Sequence, residues 1–525
     1  MNNNIPTSRR RRTLVILGVI MLIILGALLY YFTQNHAEGS SQASPPGTAH
    51  LNNQRANYHF TVPDKWMNDP QRPVYFKGKY HYYYLYNKDY PNGNGTEWRH
   101  ATSTDLVHWQ DQGVAIPKYT NKNGDPWSGS VVVDTHNTAG FGKNAFIAIL
   151  TQPSANGGAQ EQYLWYSKNG GKTFTSYSKK PVLANPGTAD FRDPKIIWDP
   201  QSKHWVMLMA EGKKIGFYTS TNLKKWTYTS GFLTDNVGTL ECPDLYRMQA
   251  ANGAYKWVLG ASANGRGAGN PNTYAYWTGS FNGKKFIADR QEPKWLDHGF
   301  DWYAAVTFDI VGASNPYEQR YALGWMNNWD YANNTPTLQE GFNGMNSIVR
   351  KIRLRFNGQS YVLSSQPIGA ISLLPASTQK FQRMEVDGSK TLNASGASYQ
   401  LDADISWSQL KNAGLRLRES ADHSRHVDVG VFTEGEGYTY VNRAYTNQPD
   451  TDGNSLESRA PFNTANHKVH LKILVDKNSI EVFVDDGTVA YSSLIFPNKD
   501  DQGISLFSEG GQAVFENVVI RHFDQ

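Results

Sequence analysis

Several features that are common in other protein classes are missing from this 525-residue chain. It holds a single cysteine, which excludes a disulfide framework within the chain. No acidic residue precedes position 38, whereas four arginines at 9–12 account for most of the formal net charge of +5. The rest of the chain is therefore close to neutral, which argues against a nucleic-acid partner and fits an uncharged substrate.

Charge is also missing from residues 13–32, an apolar run that is long enough to cross a bilayer as a helix. The arginines before it predict a basic cytoplasmic tail at 1–12, a single-pass anchor in the cell membrane, and the rest of the chain outside. The alternative is a signal peptide that is cleaved near residues 41–43, which would give a secreted protein. Residues 33–55 are rich in small and polar residues and predict a flexible stalk.

A long helical periodicity is missing after the stalk, where short aromatic and β-branched runs alternate with turn residues. The 30 tyrosines, 15 tryptophans and 46 glycines fit many strands that are joined by tight turns. The length also exceeds one ordinary hydrophobic core and predicts more than one domain. The sequence therefore predicts an all-β protein.

A repeated turn sequence predicts the architecture of the larger part. Ser103–Trp109 (STDLVHW) resembles Ser220–Trp226 (STNLKKW), and Ser167–Phe174 and Ser280–Phe286 are looser copies. The copies recur about every 60 residues, which suits four-stranded propeller blades with long loops. We therefore predict a five-bladed β-propeller over residues 56–355.

The character of the sequence changes after the propeller. We predict a linker at 356–370 and a β-sandwich domain over 371–525, because alternating strands such as 469–475 and 479–484 continue there without further acidic motifs. The expected role of this domain is structural, covering the flank of the propeller, with some sugar binding as an addition.

Three short acidic motifs recur at the same phase of the repeat: Trp66–Pro70 (WMNDP), Phe191–Pro194 (FRDP) and Glu241–Asp244 (ECPD). Each places a carboxylate near a proline that fixes the local backbone. Because the innermost strand of every blade lines the propeller axis, we expect these carboxylates to converge on one funnel. Paired carboxylates are what glycoside cleavage needs, so the motifs predict a carbohydrate-cleaving enzyme.

Together the three motifs resemble the hallmark motifs of glycoside hydrolase family 32, which contains invertases, inulinases and levanases. The segment 471–487 is similar to the sandwich domain of that family. The resemblance implies a five-bladed propeller followed by a β-sandwich, in agreement with the repeat. Within the family the chain most resembles the membrane-associated endo-acting levanases of bacilli, through segments 97–100, 261–265, 272–279 and 324–334.

The family resemblance implies a retaining double displacement with one role for each carboxylate. Asp69 is the implied nucleophile, Glu241 the acid/base, and Asp193 the group that stabilises the oxocarbenium-like transition state. Retention also predicts a separation of about 5–5.5 Å between the first two carboxyl groups. The candidate sugar contacts are Asn68, Trp66, Arg192, Trp127, Ser128, Trp329 and Asp301. For Asp301, a structural role is an equally supported alternative.

We predict that the enzyme is a monomer that cuts levan, a β-2,6-fructan, at internal bonds to release short oligosaccharides. Within the class, the alternatives are an exo-acting fructan β-fructosidase on levan, inulin or sucrose, a levanbiose-releasing hydrolase, and a transfructosylating enzyme. Gln71, Leu85 and Arg99 depart from the commoner exo-acting pattern. An endo enzyme needs an open groove and an exo enzyme a blocked pocket, and loop shape decides between them.

Other classes are less well supported by the residues. No metal or cofactor is predicted, because His81, His100 and His108 are spread at strand-like spacing and the DxDxDG spacing of a calcium loop is absent. The turn at Ser167–Phe174 resembles the Asp-box of sialidases, which are one alternative. An inactive propeller that binds polysaccharide is the non-enzyme alternative.

Overall fold

The computed structural model describes residues 54–523, apart from 94, 155–156, 236, 450 and 452–454. The predicted tail at 1–12, anchor at 13–32 and most of the stalk at 33–55 lie outside these residues. Within the described part, no helix is long and apolar enough to cross a membrane.

The described chain consists almost entirely of antiparallel sheets, and the first five follow one another along the sequence. Blade 1 contains β1 (Lys65–Phe76), β2 (Lys79–Asn87), β3 (Glu97–Ser103) and β4 (Gln110–Ile116). Blade 2 contains β5 (Gly129–Asp134), β6 (Ala145–Pro153), β7 (Gln160–Ser167) and β8 (Thr175–Ser176). Blade 3 contains β9 (Arg192–Asp199), β10 (His204–Glu211), β11 (Lys214–Ser220) and β12 (Thr227–Leu233).

The last two blades carry short additional strands. Blade 4 contains β13 (Thr239–Gln249), β14 (Tyr255–Asn264), β15 (Tyr274–Phe281) and β16 (Phe286–Ala288), and β17 (Lys294–Trp295) also pairs with β15. Blade 5 contains β18 (Tyr303–Asp309), β19 (Arg320–Trp325), β21 (Arg350–Phe356) and β22 (Tyr361–Pro367). Between its strands, β20 (Phe342–Asn343) leaves blade 5 and pairs in parallel with β1 of blade 1.

The first strands of the five blades form a closed ring. They contact one another in the order β1, β5, β9, β13 and β18, and β18 contacts β1 again. Apolar clusters fill the space between neighbouring blades, as where Trp98 of blade 1 packs with Phe146 of blade 2. The predicted five-bladed propeller and the all-β class are confirmed. The last strand of blade 5, β22, lies within the predicted linker at 356–370, so the propeller extends past the predicted end at residue 355.

The repeated turn joins the third and fourth strands of a blade. Ser103 Oγ accepts a hydrogen bond from the backbone N–H of Leu106 at 2.8 Å, and Ser220 Oγ accepts one from that of Leu223 at 2.9 Å. The serine hydroxyl therefore closes an equivalent turn in blades 1 and 3. The repeated turn lies at the same place in blades 1 to 4, which explains why the sequence repeats with the period of those blades.

The C-terminal part is a sandwich-like sheet of eleven strands around one apolar core. Its strands are β23 (Ala376–Lys380), β24 (Met384–Ser395), β25 (Tyr399–Trp407), β26 (Asn412–Glu419), β27 (Val427–Phe432), β28 (Tyr438–Asn442), β29 (Glu457–Pro461), β30 (Lys468–Asp476), β31 (Ser479–Val484), β32 (Val489–Leu494) and β33 (Gly503–Phe523). Four 3₁₀ helices also lie among the described residues: Arg266–Ala268, Pro336–Glu340, Gly369–Leu373 and Thr464–Asn466.

The long strand β33 connects the two halves of this sheet. Its first part pairs with β26 and its second part with β25. Gly510 and Gly511 lie between the two parts with positive φ, and a Cβ on Gly511 would lie 2.0 Å from the carbonyl oxygen of Gln409. Glycine is therefore required where the strand turns from one half to the other.

Buried charges join the sandwich to the propeller. Arg350 of β21 binds Asp297 at 2.8 Å and Glu481 of β31 at 2.5 Å, and all three side chains are fully buried. His59, which precedes the propeller, lies between Asp476 and Glu481 at 2.8 and 3.0 Å. Each buried carboxylate therefore has an opposite charge beside it, and the contacts of Glu481 and Asp476 cross the interface.

Candidate active site

The three acidic motifs lie on the innermost strands β1, β9 and β13, and each interrupts the strand pairing. The ladders shift register beside Asp69, at Asp193 and directly after Glu241. A proline follows within two residues of each carboxylate and cannot donate to the ladder, so the irregularity is built into the motif. A bulge re-aims the side chain of an inner strand, and here it turns the carboxylates toward the propeller axis.

All three carboxylates line one cavity of about 650 Å³ at the axis. Such a volume lies within the roughly 300–1,000 Å³ of typical ligand sites. Six of the seven predicted sugar contacts also line it: Trp66, Asn68, Trp127, Ser128, Arg192 and Trp329. The structure therefore brings together residues from blades 1, 2, 3 and 4 and from a loop of blade 5.

Three donors hold the carboxylate of Asp69. Ser128 Oγ donates to Oδ2 at 2.5 Å, Asn68 Nδ2 donates to Oδ1 at 3.0 Å, and the thiol of Cys242 lies 3.6 Å from Oδ2. Burial raises the pKa of Asp69, the Ser128 hydrogen bond opposes this, and the charge of Glu241 adds to it. The donors thus fix the orientation of the carboxylate. Without them, its ionised form would be unfavourable in this buried position.

The indole of Trp66 fixes the amide that faces Asp69. Trp66 Nε1 donates to Oδ1 of Asn68 at 2.9 Å, so the NH₂ group of Asn68 is left to donate to Asp69. Behind them, Gln71 Nε2 donates to the backbone oxygen of Asp69 at 3.0 Å. Trp66 and Asn68 therefore orient the carboxylate of their own motif, and Gln71, just after the motif, holds the backbone of Asp69.

Asp193 and Cys242 share a strained backbone and a hydrogen bond. Their φ angles are 61° and 48°, in the left-handed region that side chains rarely adopt. The backbone N–H of Cys242 donates to Asp193 Oδ2 at 2.9 Å, and its thiol lies 3.6 Å from the same oxygen. Burial raises the pKa of Asp193 to about 7, because the nearby charge of Arg192 only partly offsets burial and the other carboxylates.

The carboxylate of Glu241 is held on both oxygens. The phenol of Tyr303 donates to Oε2, and Arg192 donates to Oε1 from Nε at 3.1 Å and from Nη2 at 3.0 Å. Arg192 also binds Asp190 at 2.5 Å, which fixes the guanidinium plane. Burial, and then the charge of Glu241, raise the pKa of Tyr303 well above its ordinary value, so the phenol remains a donor.

Among the described residues, one cluster has the geometry of a cation site. Ligand atoms of Asp69, Asp193 and Cys242 lie within 4.8 Å of one another. A thiol must lose its proton to bind a metal ion, whereas burial and the adjacent carboxylates raise the pKa of Cys242 well above its ordinary value. The donor set therefore fits a thiol that donates hydrogen bonds to two carboxylates better than a metal site.

Aromatic rings form one side of the cavity. Trp329 is 45% exposed, and its ring stacks on that of Trp66 with centroids 6.2 Å apart. Tyr90 lies on another side of Trp66, at 4.9 Å between ring centroids. Exposed aromatic faces of this kind bind the C–H faces of sugar rings.

Two loops meet across the wall of the cavity. Tyr90, in the loop between β2 and β3, donates from its phenol to Oδ1 of Asn333 at 2.8 Å, and Asn333 follows β19 in blade 5. Both residues line the cavity. The buried ammonium group of Lys118 supports the first loop, because it donates to Asn87 Oδ1 at 2.8 Å and to the Gly95 carbonyl at 3.2 Å.

Asp301, predicted as a sugar contact or a structural residue, does not line this cavity. Its side chain is fully buried and binds Arg443 of the sandwich at 3.0 Å. Tyr331 donates to its other oxygen at 2.6 Å, and the backbone N–H of Leu494 donates at 2.7 Å. The structure therefore places it in the contact between propeller and sandwich, which corrects its assignment as a sugar contact.

The three residues that depart from the commoner exo-acting pattern, Gln71, Leu85 and Arg99, differ in their distance from the cavity. Leu85 lines the cavity and Gln71 lies directly behind Asp69, so both shape the surroundings of the carboxylates. Arg99 does not line the cavity; it pairs with Asp111 at 2.9 Å and covers the ring of Tyr86.

Two protein-family models match consecutive parts of the chain. The "Glycosyl hydrolases family 32 N-terminal domain" matches residues 59–367, and the "Glycosyl hydrolases family 32 C terminal" domain matches residues 371–522. Together they span nearly all the described residues.

Known proteins resemble this chain over most of its length. It is 64% identical to a levanbiose-producing levanase of Bacillus subtilis (strain 168), over 90% of this chain and 91% of that protein. It is also 64% identical to a levanbiose-producing levanase of Geobacillus stearothermophilus, over 75% of this chain and 100% of that protein. Its fold is similar to the crystal structure of exo-inulinase from Aspergillus awamori, with a TM-score of 0.82 and 28% identity over 90% of this chain and 99% of that one.

Proposed function

Since the chain belongs to glycosyl hydrolase family 32 and is a fructan-cleaving glycoside hydrolase, we propose that it releases the disaccharide levanbiose from the ends of levan chains. The relatives that share 64% identity are levanbiose-producing levanases. They support the levanbiose-releasing alternative better than the endo-acting mode that the sequence alone favoured.

The observation that carries this choice is the wall in which Tyr90 donates a hydrogen bond to Asn333. An endo-acting enzyme needs a groove that lets a polymer pass on both sides of the cut. A wall formed by two joined loops blocks one side and leaves room for a chain end. The cavity of about 650 Å³ also exceeds what one fructosyl unit fills and suits a disaccharide unit behind the scissile bond.

In the proposed mechanism, Asp69 attacks C2 of the fructosyl unit while Glu241 gives its proton to the departing glycosidic oxygen. The C2–O bond breaks, and a covalent fructosyl–enzyme forms. Glu241 then removes a proton from water, which attacks C2 and frees the carboxylate of Asp69. Asp193 accepts hydrogen bonds from ring hydroxyls as positive charge develops on the sugar.

The site supports this division of roles. Asp69 receives hydrogen bonds on both oxygens, which aligns it for attack. Glu241 is held by Tyr303 and Arg192, and its position on another blade lets it approach the sugar from a different direction.

The test is product analysis of the full chain with levan, inulin and sucrose, sampled before a tenth of the substrate is consumed. Levanbiose as the main early product from levan, with little action on sucrose, supports the proposal. A ladder of longer oligosaccharides would establish an endo-acting enzyme instead, and free fructose would establish an exo-fructosidase. Levan that carries a label at its reducing end adds a second criterion, because end-wise release leaves the label on the polymer.

The mechanism has its own matched pair of variants. Asp69→Asn keeps the shape of the side chain but removes the nucleophile, and we expect a loss of roughly 10³-fold or more in kcat. The exposed Asp235 lies outside the cavity, so Asp235→Asn serves as the control with unchanged activity. Normal turnover by the Asp69 variant would refute the assigned roles.

We further propose that residues 13–32 hold the enzyme at the outer face of the cell membrane. The uncharged run and the arginines before it support this location. Protease treatment of intact cells should remove the activity, and recovery of the full activity in the cytosolic fraction would contradict the proposal.

A further inference from the structure

A second cavity, of about 520 Å³, lies on the outer face of the C-terminal sandwich. Its lining includes Arg416, Asp428, Tyr438, Asn442 and Glu457, and we refer to it as the sandwich groove. None of its lining residues lines the catalytic cavity, so it is a separate site.

Strand alternation places a row of polar groups in the groove. Arg416, Asp428, Asn442 and Glu457 face one another across β26, β27, β28 and β29. Their sequence neighbours, such as Val429, point the other way into the apolar core. Four polar side chains on one cross-strand row therefore converge on the outer surface.

Glycine creates the depth of the groove. In the next row, Gly414 and Gly430 are paired on neighbouring strands, so neither strand contributes a side chain to the floor there. The ring of Tyr440 lies over Gly430, since a Cβ on this glycine would lie 2.9 Å from the phenol oxygen of Tyr440. That phenol donates to Asn412 at 2.9 Å, which fixes the ring as part of the floor.

A third row supplies an aromatic wall. The rings of Phe432 and Tyr438 are stacked, with centroids 5.0 Å apart and planes 19° apart. Both rings are partly exposed, and the guanidinium of Arg459 lies 4.6 Å from the centroid of Tyr438. Flat apolar faces beside convergent polar groups are the combination that binds sugars.

Two buried polar atoms in the groove lack hydrogen-bond partners. Arg416 Nε and Asp428 Oδ1 lie 3.6 Å apart, and within the described residues neither makes a hydrogen bond. His426 Nε2 is a further 3.4 Å from the same carboxylate oxygen. A donor and an acceptor that no protein hydrogen bond uses therefore lie side by side at the groove, and a hydroxyl group, which both donates and accepts, matches such a pair.

The charge of the groove favours a neutral ligand. Its arginines, Arg416 and Arg459, are opposed by the carboxylates of Asp428, Glu457 and Glu509. Neither sign dominates, which disfavours a strongly anionic or cationic ligand and fits a polyhydroxylated one.

We propose that the sandwich groove is a second carbohydrate-binding site, which holds a fructosyl segment of the same levan molecule that the propeller cuts. The choice of levan rests on the proposed function, whereas the polyol chemistry rests on the groove alone. Two sites on one polymer make the second binding event intramolecular, so even weak binding in the groove raises retention on the polymer.

Chain neighbours and one hydrogen bond join the two sites. Asn442 in the groove precedes Arg443, whose Nη2 donates to the phenol oxygen of Tyr331 at 2.9 Å. Tyr331 lies two residues after Trp329, which lines the catalytic cavity. The groove is therefore anchored to the same loop that bounds the catalytic cavity.

The test measures retention of the full chain on levan by affinity electrophoresis, in the inactive Asp69→Asn background. We expect Tyr438→Ala to weaken retention by about ten-fold. The exposed Tyr228 of blade 3 lies outside both cavities, so Tyr228→Ala is the matched control. Asp428→Asn is the second variant, and it decides the outcome if the first fails to fold.

The same substitutions in the active chain separate this proposal from the proposed function. Tyr438→Ala should leave hydrolysis of a short levan oligosaccharide unchanged, while hydrolysis of dilute polymeric levan falls. Undiminished retention of folded Tyr438→Ala and Asp428→Asn would overturn the groove as a binding site. Retention on dextran but not on levan through these residues would overturn levan as the ligand, and an early product other than levanbiose would count only against the proposed function.

Discussion

Tyr303 donates a hydrogen bond from its phenol to one oxygen of Glu241, and thereby links the innermost strand of blade 5 to that of blade 4. Arg192, from the innermost strand of blade 3, holds the other oxygen. The proposed acid/base is thus positioned by the blades on either side of its own. Such a carboxylate cannot rotate away when substrate enters, which is what a proton donor to a fixed glycosidic oxygen requires.

We expect Tyr303→Phe to lower kcat about ten-fold with little change in KM. The substitution removes a hydrogen bond to a charged group, worth about 1.5–3 kcal/mol, without removing the ring. Tyr228→Phe is the exposed control. An unchanged kcat would show that Tyr303 only fills space.

Asp193→Asn is expected to lose activity and to gain stability at alkaline pH. Burial raises the pKa of Asp193 from 3.8 to about 7 in the folded state, so folding favours its protonated form. The stability linked to that proton is fully present below about pH 3.8 and is lost as the pH rises through about 7. An asparagine carries no such charge, and the variant should be more stable than the parent at pH 8, by about 4 kcal/mol.

The measurement for Asp193→Asn is the melting temperature at pH 4 and at pH 8, together with activity on levan. The difference in melting temperature should be large at pH 8 and nearly vanish at pH 4, while activity is lost at both values. A variant that is less stable than the parent at pH 8 would contradict the role of burial at this site.

The sequence predicted the carboxylates and the propeller for one physical reason. Asp69, Asp193 and Glu241 lie on bulged inner strands, and a proline within two residues of each leaves a readable motif. The turn serines such as Ser103 recur in blades 1 to 4 because these blades close their outer strands with the same turn. Local backbone chemistry therefore carries both signals.

The remaining parts of the site depend on strand register and on contacts between distant loops. Asp301 was predicted as a sugar contact or a structural residue. Strand β18 begins at Tyr303, whose phenol reaches Glu241, whereas Asp301 lies against the sandwich. The wall at Tyr90 and Asn333 joins loops from the first and last blades. Neither loop has a local sequence pattern from which the contact between Tyr90 and Asn333 could be predicted.

The contact between Asp301 and Arg443 should contribute strongly to stability. Arg443→Met leaves the buried carboxylate without its counter-charge, which typically costs about 3–5 kcal/mol. Burial already raises the pKa of Asp301, and without the arginine it rises further, so the loss should grow with pH above about 4. We expect a melting temperature several degrees lower at pH 7 and a smaller decrease at pH 4.

A matched exposed ion pair provides the control for that variant. Arg383 binds Glu385 at 2.6 Å on the surface of the sandwich, and Arg383→Met should leave the melting temperature unchanged. Equal effects of the two substitutions would show that burial does not set the strength of the contact at Arg443.

The wall between Tyr90 and Asn333 predicts how product length is set. Tyr90→Phe keeps the ring against Trp66 but removes the hydrogen bond that joins the two loops, whereas Asn333→Ala removes the acceptor. If the wall stops the chain end behind the second fructosyl unit, either variant should let longer ends enter, and levantriose and larger products should appear beside levanbiose.

The profile of early products from levan is the measurement, with Tyr228→Phe as the control for loss of an exposed phenol. Because the three carboxylates do not contact Tyr90 or Asn333, the total rate of bond cleavage should fall by no more than a few-fold. A purely levanbiose-forming Asn333→Ala variant would place the block elsewhere in the cavity. A variant that forms longer products at the parental rate would show that two loop residues, and not the catalytic groups, set the length of the product on this propeller.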